Sequence, residues 1–463
     1  MKRNLIIAIN LLITGMFLIS CGEKKKESTV HEKAMSTAKP NIVLLFVDDW
    51  GWADVGFRNP IFHTPNINQL KKDGLNFERA YIATPTCSPS RASLLTGKEP
   101  VRFQMTRHII DKREKVAEAG NEEFNLWPND PVQRPSRNWL PLEEITYAER
   151  LKEFGYYNMF IGKWHLGEEK YHPTQQGFDA QFGTTNAGHP RSYYPPFFES
   201  EQDPMGFASN YNDEYLTDVL TDGAEKFISD YDREQPFMLS LWYYNVHGPF
   251  VGRKDWLEKY KAAGLVGEYA EYAAMVSAMD ESVGRVRKAL EAKGIAENTV
   301  VILLSDQGGK FTNAPLSGGK IGNTLGEGGA RVPFIVYYPE VTKSGSVTDT
   351  PVQSIDLYPT LVEIASGKSG VDSHINGKSL LSLLNGKKMA PRNLYFFRSY
   401  EDQYTALIKG EWKLVKYHSG EFQLFNISKD ISESHNLVNT YHEKSAELKT
   451  ELLEWEKEAV PSF

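Results

Sequence analysis

The chain has 463 residues, of which 41% are hydrophobic and 24% are charged, so it is long and apolar enough to bury a large core. Its net charge of −8, from 60 acidic and 52 basic side chains, argues against a general nucleic-acid-binding protein. An anionic ligand must therefore be attracted locally, by a few cationic side chains or by a metal ion.

The N-terminal segment has the pattern of an export signal followed by a polar stretch. A basic start and an apolar run from Leu5 to Ile19, too short for a comfortable membrane span, lead to small residues before Cys21. We interpret residues 1–20 as a signal peptide and residues 21–39 as a polar tether. Because Cys21 stands at the cleavage point, the pattern resembles a bacterial lipobox, which predicts that Cys21 is lipidated and anchors the protein to a membrane.

This pattern also sets the expected compartment. The protein is predicted to be exported and lipid-anchored in the periplasm or at the cell surface of a bacterium; the alternative is ordinary cleavage with free secretion. Cys21 and Cys87 are the only cysteines. With both assigned to chemistry, none is left for a structural disulfide, so stability must come from the core.

The first predicted strand brings two acids to the edge of a sheet. Asn41 to Val47 is a continuous apolar run, typical of a strand buried on both faces, and Asp48 and Asp49 follow it directly. In parallel sheets, ligands gather beyond the carboxyl ends of the strands. The two acids are candidates for a calcium or magnesium site, although a solvated turn would have the same sequence.

The stretch from Pro85 to Gly97 places a cysteine at the start of a predicted helix. Pro89 falls in the first turn, where its missing N–H costs nothing, and Arg91 lies one turn after Cys87. The free N–H groups of a first helical turn attract anions. We interpret Cys87 as a nucleophile in an anion-binding site; the alternative is a small buried hydrophobic residue, the usual role of a lone cysteine.

Two further predicted strands end in histidines. The strand that begins at Tyr156 is predicted to end with Lys163 and His165, which lie two apart and therefore on one face. His247 stands just beyond the predicted strand 236–244. The two histidines are therefore expected at the same edge of the sheet as the acids.

A third strand and the loop after it complete the candidate site. The apolar run 299–304 delivers Asp306 and Gln307, again acid and amide oxygens at a carboxyl end. The following loops are rich in glycine, which allows close approach of the backbone, and Lys320 is the obvious cation there.

The remaining segments are predicted to frame this site. Residues 98–142 lack a clear period and are interpreted as a long surface loop that forms one wall of a cleft, and His189 and Arg191 lie in another cleft loop. The predicted helices cover residues 68–74, 147–154, 213–230, 268–293, 356–365 and 442–460. Short antiparallel strands at 406–417 and 422–426 predict a small second domain, so we divide the chain at residues 40–375 and 376–463.

Two strings resemble the signatures of one family. Cys87-Ser88-Pro89-Ser90-Arg91 followed by Ala-Ser-Leu-Leu-Thr-Gly resembles the first signature of the formylglycine-dependent (type I) sulfatases, and Gly162-Lys163-Trp164-His165 resembles part of the second. Asn158 departs from the second signature, where a hydroxyl residue is usual, and we expect an effect on packing only. The resemblance covers roughly residues 40–370. It implies an α/β fold like that of alkaline phosphatase: an α/β/α sandwich around a large, mostly parallel sheet, with a small C-terminal α+β domain that has an antiparallel sheet.

The resemblance also implies a role for each candidate residue. Cys87 would be oxidised to formylglycine by a maturation enzyme; one hydroxyl of the hydrated aldehyde attacks sulfur and the other later expels sulfate. Arg91 would stabilise the hydrate, with His165 as its proton partner, while Lys163 and Lys320 neutralise sulfate oxygens and His247 protonates the leaving oxygen. One calcium ion would be held by Asp48, Asp49, Asp306, Gln307 and the modified Cys87. Gln307 departs from the family, which more often has asparagine or histidine there.

The expected substrate is a sulfated saccharide. Resemblance around Gly97 to Met105 favours sulfates of galactose or N-acetylgalactosamine. Two alternatives stay open: a phosphoryl or phosphonate ester hydrolase of the same fold, and an inactive surface lipoprotein that binds sulfated glycans. Phosphatases of this fold generally use two transition metals and a serine or threonine nucleophile, which the string around Cys87 does not suggest.

Overall fold

A mixed sheet of eight strands lies at the centre of the computed structural model, which describes residues 39–110, 122–126, 134–199, 207–398 and 402–461. The strands of these residues are β1 (Asn41–Val47), β2 (Leu75–Phe77), β3 (Ala80–Tyr81), β4 (Phe124–Asn125), β5 (Ser136–Arg137), β6 (Tyr157–Gly162), β7 (Ala180–Phe182), β8 (Phe237–Trp242), β9 (Thr299–Ser305), β10 (Phe334–Tyr337), β11 (Ser346–Thr348), β12 (Val352–Gln353), β13 (Asn393–Phe397), β14 (Gln403–Lys409), β15 (Trp412–Tyr417) and β16 (Phe422–Asn426). The order across the large sheet is β11-β2-β10-β9-β1-β8-β6-β7. Only β10 runs antiparallel to its neighbours there, so the predicted mostly parallel sheet is confirmed.

Helices cover both faces of this sheet. The α-helices of the described residues are α1 (Pro65–Asp73), α2 (Cys87–Thr96), α3 (Tyr147–Glu153), α4 (Leu216–Asp230), α5 (Lys254–Ala262), α6 (Gly267–Ala292), α7 (Glu327–Ala330), α8 (Leu357–Ser366), α9 (Leu381–Leu384) and α10 (His442–Ala459). Short 3-10 turns lie at Pro100–Phe103, Glu169–Tyr171, Pro173–Gln175, Phe207–Asn210, Ala296–Asn298 and Ser354–Asp356. None of the helices in the described ranges is both long and apolar enough to cross a membrane.

The central strand β1 explains why the sheet needs cover on both sides. Val43, Leu45 and Val47 join one buried cluster, which α1, α4, α5 and α6 complete. The alternate residues of the same strand join a second cluster with α2, α3, α8 and α9. Side chains of a strand alternate between the faces, so an apolar residue at every position requires a three-layer arrangement. The predicted α/β/α sandwich is confirmed.

The C-terminal region contains the predicted antiparallel sheet. Strands β13, β14, β15 and β16 follow one another across it, and each pairs antiparallel with the next. One face packs against Tyr81, Leu325 and Ala330 from the preceding part of the chain, and the other face packs against α10. The boundary that we placed at residue 376 stays a prediction.

The structure differs from the sequence-based predictions in two features, and a third predicted feature lies outside the described residues. The stretch 98–142 is more than a surface loop, because its described part includes a 3-10 turn and the buried side chains of Val101, Phe103 and Met105. The short strands β2, β7, β10 and β11 were not predicted, since three or four residues carry too little periodicity. Residues 1–38, with the predicted signal peptide, Cys21 and nearly all of the tether, lie outside the described residues.

Candidate active site

Adjacent strands bring two carboxylates to one edge of the sheet. Asp48 follows β1 and Asp306 follows the neighbouring strand β9. The backbone N–H of Asp306 donates to Val47 O at 3.0 Å, and that of Asp49 donates to Asp306 Oδ1 at 3.0 Å. The strand ends are therefore locked together, as the sequence pattern predicted, and both Asp48 and Asp306 are fully buried.

Asp49 turns away from the strand and gathers a second group of side chains. Its φ of 58° lies in the left-handed region, which is uncommon for residues other than glycine and recurs at functional sites. Gln307 Nε2 donates to Asp49 Oδ1 at 2.7 Å, and Lys320 Nζ bonds to Asp49 Oδ2. The glycine-rich loop thus places Lys320 in the site, as predicted.

Helix α2 presents Cys87 at its first residue and Arg91 one turn later. Thr86 is the N-cap residue, and Gly97 ends the helix with a φ of 67°, a left-handed conformation that favours glycine. Arg91 is fully buried; its Nη2 lies 3.2 Å from Asp48 Oδ1 and 3.0 Å from Asp306 Oδ2. The guanidinium therefore bridges the two carboxylates beneath the cysteine.

Lys163 reaches the site by a different backbone path from the one predicted. Strand β6 ends at Gly162, whose φ of 100° breaks the extended conformation, so Lys163 and His165 do not share a strand face. Lys163 Nζ nevertheless bonds to Asp48 Oδ2, and its side chain is fully buried. Lys163 thus lies beside the other candidate residues, but the prediction that it shares a strand face with His165 was wrong.

His165 lines the cleft together with Cys87. Its Nε2 lies 2.8 Å from the carbonyl oxygen of Ile109 and must carry the hydrogen, because a carbonyl only accepts. Nδ1 is then the ring nitrogen that can accept a proton. Gly188 permits the close packing here, since a Cβ at that position would lie 2.8 Å from His165 Cε1.

His247 approaches from the loop after β8. Its Nδ1 donates to the Gly248 carbonyl oxygen at 2.6 Å, so Nε2 is the nitrogen directed at the site, 3.6 Å from Asp49 Oδ2. A ring nitrogen of His247 also lies within 4.8 Å of Cys87 Sγ. On its outer side His189 stacks in parallel, with ring centroids 5.4 Å apart and an interplanar angle of 10°.

The charges around Cys87 favour anions at that point. Burial and the charge of Asp48 raise the pKa of the Cys87 thiol, but Lys163, His247 and Lys320 act in the opposite direction, and the pKa lies below its usual value. Burial alone would lower the pKa of Lys320, yet Asp49 and Cys87 raise it above the ordinary lysine value. Lys320 therefore stays a cation beside the nucleophile position.

The acids and the amide form a donor set that fits a hard cation. Asp48, Cys87 and Asp306 have ligand atoms within 4.8 Å of one another, and so do Asp49, Cys87 and His247. Asp48 Oδ1 is buried, and among the described residues it has the ion pair with Arg91 at 3.2 Å but no hydrogen bond. Turning the Gln307 amide by half a turn would put Oε1 where Nε2 now lies, 3.1 Å from Cys87 Sγ. Carboxylate and amide oxygens are the ligands that calcium and magnesium prefer.

Asp49, Cys87, His165, His247 and Lys320 line a cleft of about 940 Å³. The predicted loop residues His189 and Arg191 line it, and so do His108 and Ile109 from the predicted wall 98–142. The cleft also includes Phe250 and Lys310, which sequence reasoning missed. The only signals for these two were their positions shortly after His247 and Gln307.

A buried ionic network ties the Lys320 loop to the C-terminal sheet. Lys413 of β15 bonds to Glu327 at 3.0 Å and to Glu433 at 2.9 Å, and its side chain is 1% exposed. Glu433 also accepts from the hydroxyl of Ser317 and from the backbone N–H of Glu327. The loop that carries Lys320 is therefore fixed on both sides, at Ser317 and at Glu327.

Comparisons with known proteins agree with this arrangement. A family model described as Sulfatase matches residues 40–368, and a model described as N-sulphoglucosamine sulphohydrolase, C-terminal, matches residues 324–458. Mouse (Mus musculus) N-acetylgalactosamine-6-sulfatase is 31% identical over 399 residues, which cover 81% of this chain and 71% of that protein. Mouse arylsulfatase J is 29% identical over 391 residues, which again cover 81% of this chain but only 60% of the relative's length.

A solved structure extends the likeness to three dimensions. The crystal structure of Ps i-CgsB in complex with k-i-k-neocarrahexaose has a TM-score of 0.77 at 29% identity, covering 90% of this chain and 92% of that one. The Sulfatase model spans most of the chain and includes every predicted residue of the site. The chain therefore belongs to the sulfatase family and is a sulfatase enzyme with an alkaline-phosphatase-like fold.

Proposed function

We propose that this protein removes sulfate from a sulfated carbohydrate through a formylglycine made from Cys87 and a bound calcium ion. The observation that carries the proposal is the convergence of separate segments on Cys87. Helix α2, the ends of β1, β6, β8 and β9, and the glycine-rich loop all deliver polar side chains to it. An inert buried cysteine would not need three cations and three carboxylates around it.

Each side chain has a role that its position supports. As a hydrate, the aldehyde would supply one hydroxyl to attack sulfur and a second to expel sulfate. Arg91 lies one helical turn below and would stabilise the hydrate, while His165 Nδ1 would take up its proton. Lys163 and Lys320, whose charges both act on Cys87, would bind the sulfate oxygens. His247 would donate the Nε2 proton to the leaving alcohol, and this nitrogen lies 3.6 Å from Asp49 Oδ2.

The metal would be held by side chains whose carboxylates form ion pairs with the three cations of the site. Asp48, Asp49, Asp306 and Gln307 would ligate it, and the bound ion would act as a Lewis acid toward a sulfate oxygen. The all-oxygen protein donor set supports calcium rather than zinc. Gln307 fills the position with an amide oxygen that is one methylene farther from the backbone than asparagine's.

The relatives support a carbohydrate as the substrate. One is an N-acetylgalactosamine-6-sulfatase, and the structurally similar Ps i-CgsB was crystallised in complex with k-i-k-neocarrahexaose. We propose a galactose or N-acetylgalactosamine sulfate for this chain. The cleft of about 940 Å³ lies near the upper end of the range of about 300–1,000 Å³ that is typical of sites for drug-sized ligands. It therefore has room for more than a single sugar.

A desulfation screen tests the proposed function. Purified protein matured by a formylglycine-generating enzyme is incubated with nitrophenyl sulfate, nitrophenyl phosphate and defined galactose and N-acetylgalactosamine sulfates. Sulfate release from nitrophenyl sulfate and from at least one sugar, lost in Cys87→Ala, is the expected result. Preferential release of phosphate would favour the phosphoryl hydrolase, and binding of sulfated sugars without turnover would favour the inactive lipoprotein.

We also propose that the mature protein is lipid-anchored at Cys21 in the bacterial periplasm or at the cell surface. The support is the sequence alone: a basic start, an apolar run and small residues before Cys21. Expression in a bacterial host should put the protein in the membrane fraction with a mass shift from the lipid. Cys21→Ser should abolish that shift, and an unlipidated mature form would contradict the proposal.

A further inference from the structure

The outer half of the cleft carries two cations that the proposed reaction does not use. Arg191 and Lys310 line the cleft with side chains that are 58% and 36% exposed. In contrast, the lysines proposed to bind the scissile sulfate are 0% exposed at Lys163 and 21% exposed at Lys320. The cleft thus has an inner pair of lysines and a separate outer pair of cations.

The outer cations are held loosely by their present partners. Arg191 Nη1 lies 3.4 Å from Glu199 Oε2, and Lys310 Nζ lies 3.7 Å from Glu268 Oε2. Both acids are well exposed, and exposed ion pairs of this kind contribute little. A ligand anion would replace them at small cost. The protein as a whole carries a net charge of −8, so cations concentrated in its cleft are a local feature.

Phe250 places Lys310 on the side of the leaving group. It follows His247 by three residues on the same loop, and its ring packs against Phe311 and Tyr272 at centroid distances of 5.2 and 5.7 Å. Lys310 Nζ lies 4.6 Å from the Phe250 centroid. Since His247 is proposed to protonate the leaving alcohol, the saccharide attached to that oxygen extends toward this ring. His189 stacks on His247, and Arg191, two residues after His189, lines the same cleft as Phe250.

We propose that Phe250, Lys310 and Arg191 form a second subsite, which binds an anionic group on the sugar next to the one that loses its sulfate. The Phe250 ring packs against the neighbouring sugar, and the two cations bind its sulfate or its uronate carboxylate. This inference rests on the proposed function and deepens it: the preferred substrate is an oligosaccharide with a further anion, not a sulfated monosaccharide.

Competition against nitrophenyl sulfate turnover tests the subsite. The competitors are galactose 6-sulfate, a carrageenan tetrasaccharide whose anions are all sulfates, and a chondroitin sulfate tetrasaccharide, which adds carboxylates. At least one tetrasaccharide should inhibit the unchanged protein about tenfold more strongly than the monosaccharide. The one that does so identifies the preferred anion. Raising the ionic strength should weaken the tetrasaccharide more than the monosaccharide.

The double variant Lys310→Gln/Arg191→Gln should remove this advantage. Its tetrasaccharide inhibition should weaken about tenfold, while the KM for nitrophenyl sulfate and inhibition by galactose 6-sulfate stay within about twofold. The matched control is Lys226→Gln/Arg233→Gln, which removes the same charges outside the cleft and should change nothing. Equal inhibition by all three competitors in the unchanged protein, or equal losses for all three in the cleft variant, would overturn the proposal.

Calorimetric binding of the same three saccharides separates this inference from the proposed function. Absence of turnover on nitrophenyl sulfate would count against the proposed reaction alone, since the tetrasaccharide preference can still be read from binding. Normal turnover combined with no preference for either tetrasaccharide would count against the subsite alone.

Discussion

Gln307 Nε2 lies 3.1 Å from Cys87 Sγ and 2.7 Å from Asp49 Oδ1, so one amide joins the nucleophile position to the carboxylates. This contact makes Gln307 the sensitive test of the metal assignment. Gln307→Asn keeps an amide at the site and should lower kcat/KM by about tenfold or less, whereas Asp306→Ala should lower it by at least about 10²-fold. Calorimetric calcium titration should show the same ranking.

Removal of the metal gives the matching control. Treatment with a chelator should abolish turnover, and calcium should restore it better than zinc, because the protein ligands are oxygens. Undiminished turnover in protein shown to be free of calcium by elemental analysis would contradict the assignment.

The chemical state of Cys87 is the second prediction. In active protein, the mass of the peptide that contains Cys87 should show sulfur replaced by oxygen with loss of hydrogen, and an aldehyde reagent should label it. Cys87→Ala should lower kcat by at least about 10³-fold, because the nucleophile is lost. Its melting temperature should stay close to that of the parent, since the change at the first residue of α2 is small. Full turnover by the unmodified thiol would exclude the mechanism.

The third prediction, that His247 is the acid, can be tested by comparing turnover of two substrates with different leaving groups. His247→Ala should slow desulfation of a sugar by about 10²–10⁴-fold, the usual contribution of a general acid. Turnover of nitrophenyl sulfate should fall much less, because a nitrophenolate needs little protonation. His189→Ala, which removes the stacked ring but not the acid, is the matched control. Equal losses on both substrates would show that His247 does not protonate the leaving group.

The sequence predicted most of the site because the signals were local. Asp48 and Asp306 stand directly after long apolar strands, and the carboxyl ends of such strands meet at one edge. The placement of Lys163 and His165 on one strand face failed, because period-two alternation applies only while the backbone stays extended, and Gly162 ends it. Asn158 lies away from the reactive groups and donates to the carbonyls of Ala148 and Gly177, in keeping with the packing role expected.

Residues that act over long sequence distances could not be predicted in this way. Lys413 lies in a short strand between turns, where a lysine is ordinarily solvent-facing, yet it is 1% exposed. Its partner Glu327 is far from it in the sequence, and its partner Glu433 lies in a loop. No periodic pattern therefore joins the three residues. Phe250 and Lys310 were missed for the same reason: only the folded loops bring them to one cleft.

Lys413 gives the fourth prediction, since it fixes the loop that presents Lys320. Lys413→Met would leave Glu327 and Glu433 buried without their shared cation, which should lower the free energy of unfolding by about 3–5 kcal/mol. Lys413→Arg should recover much of it. At a temperature where each variant is folded, kcat on nitrophenyl sulfate should also fall in Lys413→Met, because Lys320 loses its fixed position.

The control for this network is a lysine on the same strand. Lys416→Met breaks an ion pair with Glu456 whose side chains are 19% and 12% exposed, far from the Lys320 loop. It should reduce stability less and leave kcat unchanged. If both variants lowered kcat alike, the C-terminal sheet would be acting through general stability rather than through the loop.

Asp280 gives the last prediction, a dependence of stability on pH. This buried carboxylate of α6 accepts the backbone N–H groups of Asn66 and Ile67, at 3.2 and 2.7 Å, where α1 begins. Burial raises its pKa to about 6, despite these hydrogen bonds, from the model-peptide value of 3.8. Between these values Asp280 binds more protons in the folded protein than in the unfolded chain, so the stability that this group contributes is greatest below pH 4 and is lost as pH rises through 6. The loss from this group is about 3 kcal/mol.

Urea unfolding of the parent and of Asp280→Asn between pH 4 and pH 7 isolates this contribution. The amide does not titrate, so the difference in the free energy of unfolding between the two proteins should change by about 3 kcal/mol across that range, in the direction that favours the parent at low pH. Asp73→Asn, at the other end of α1, serves as the control and should not produce this change. If the difference in the free energy of unfolding between the parent and Asp280→Asn were the same at every pH, Asp280 would be ionised in the folded protein throughout. The hydrogen bonds at the start of α1 would then outweigh the effect of its burial.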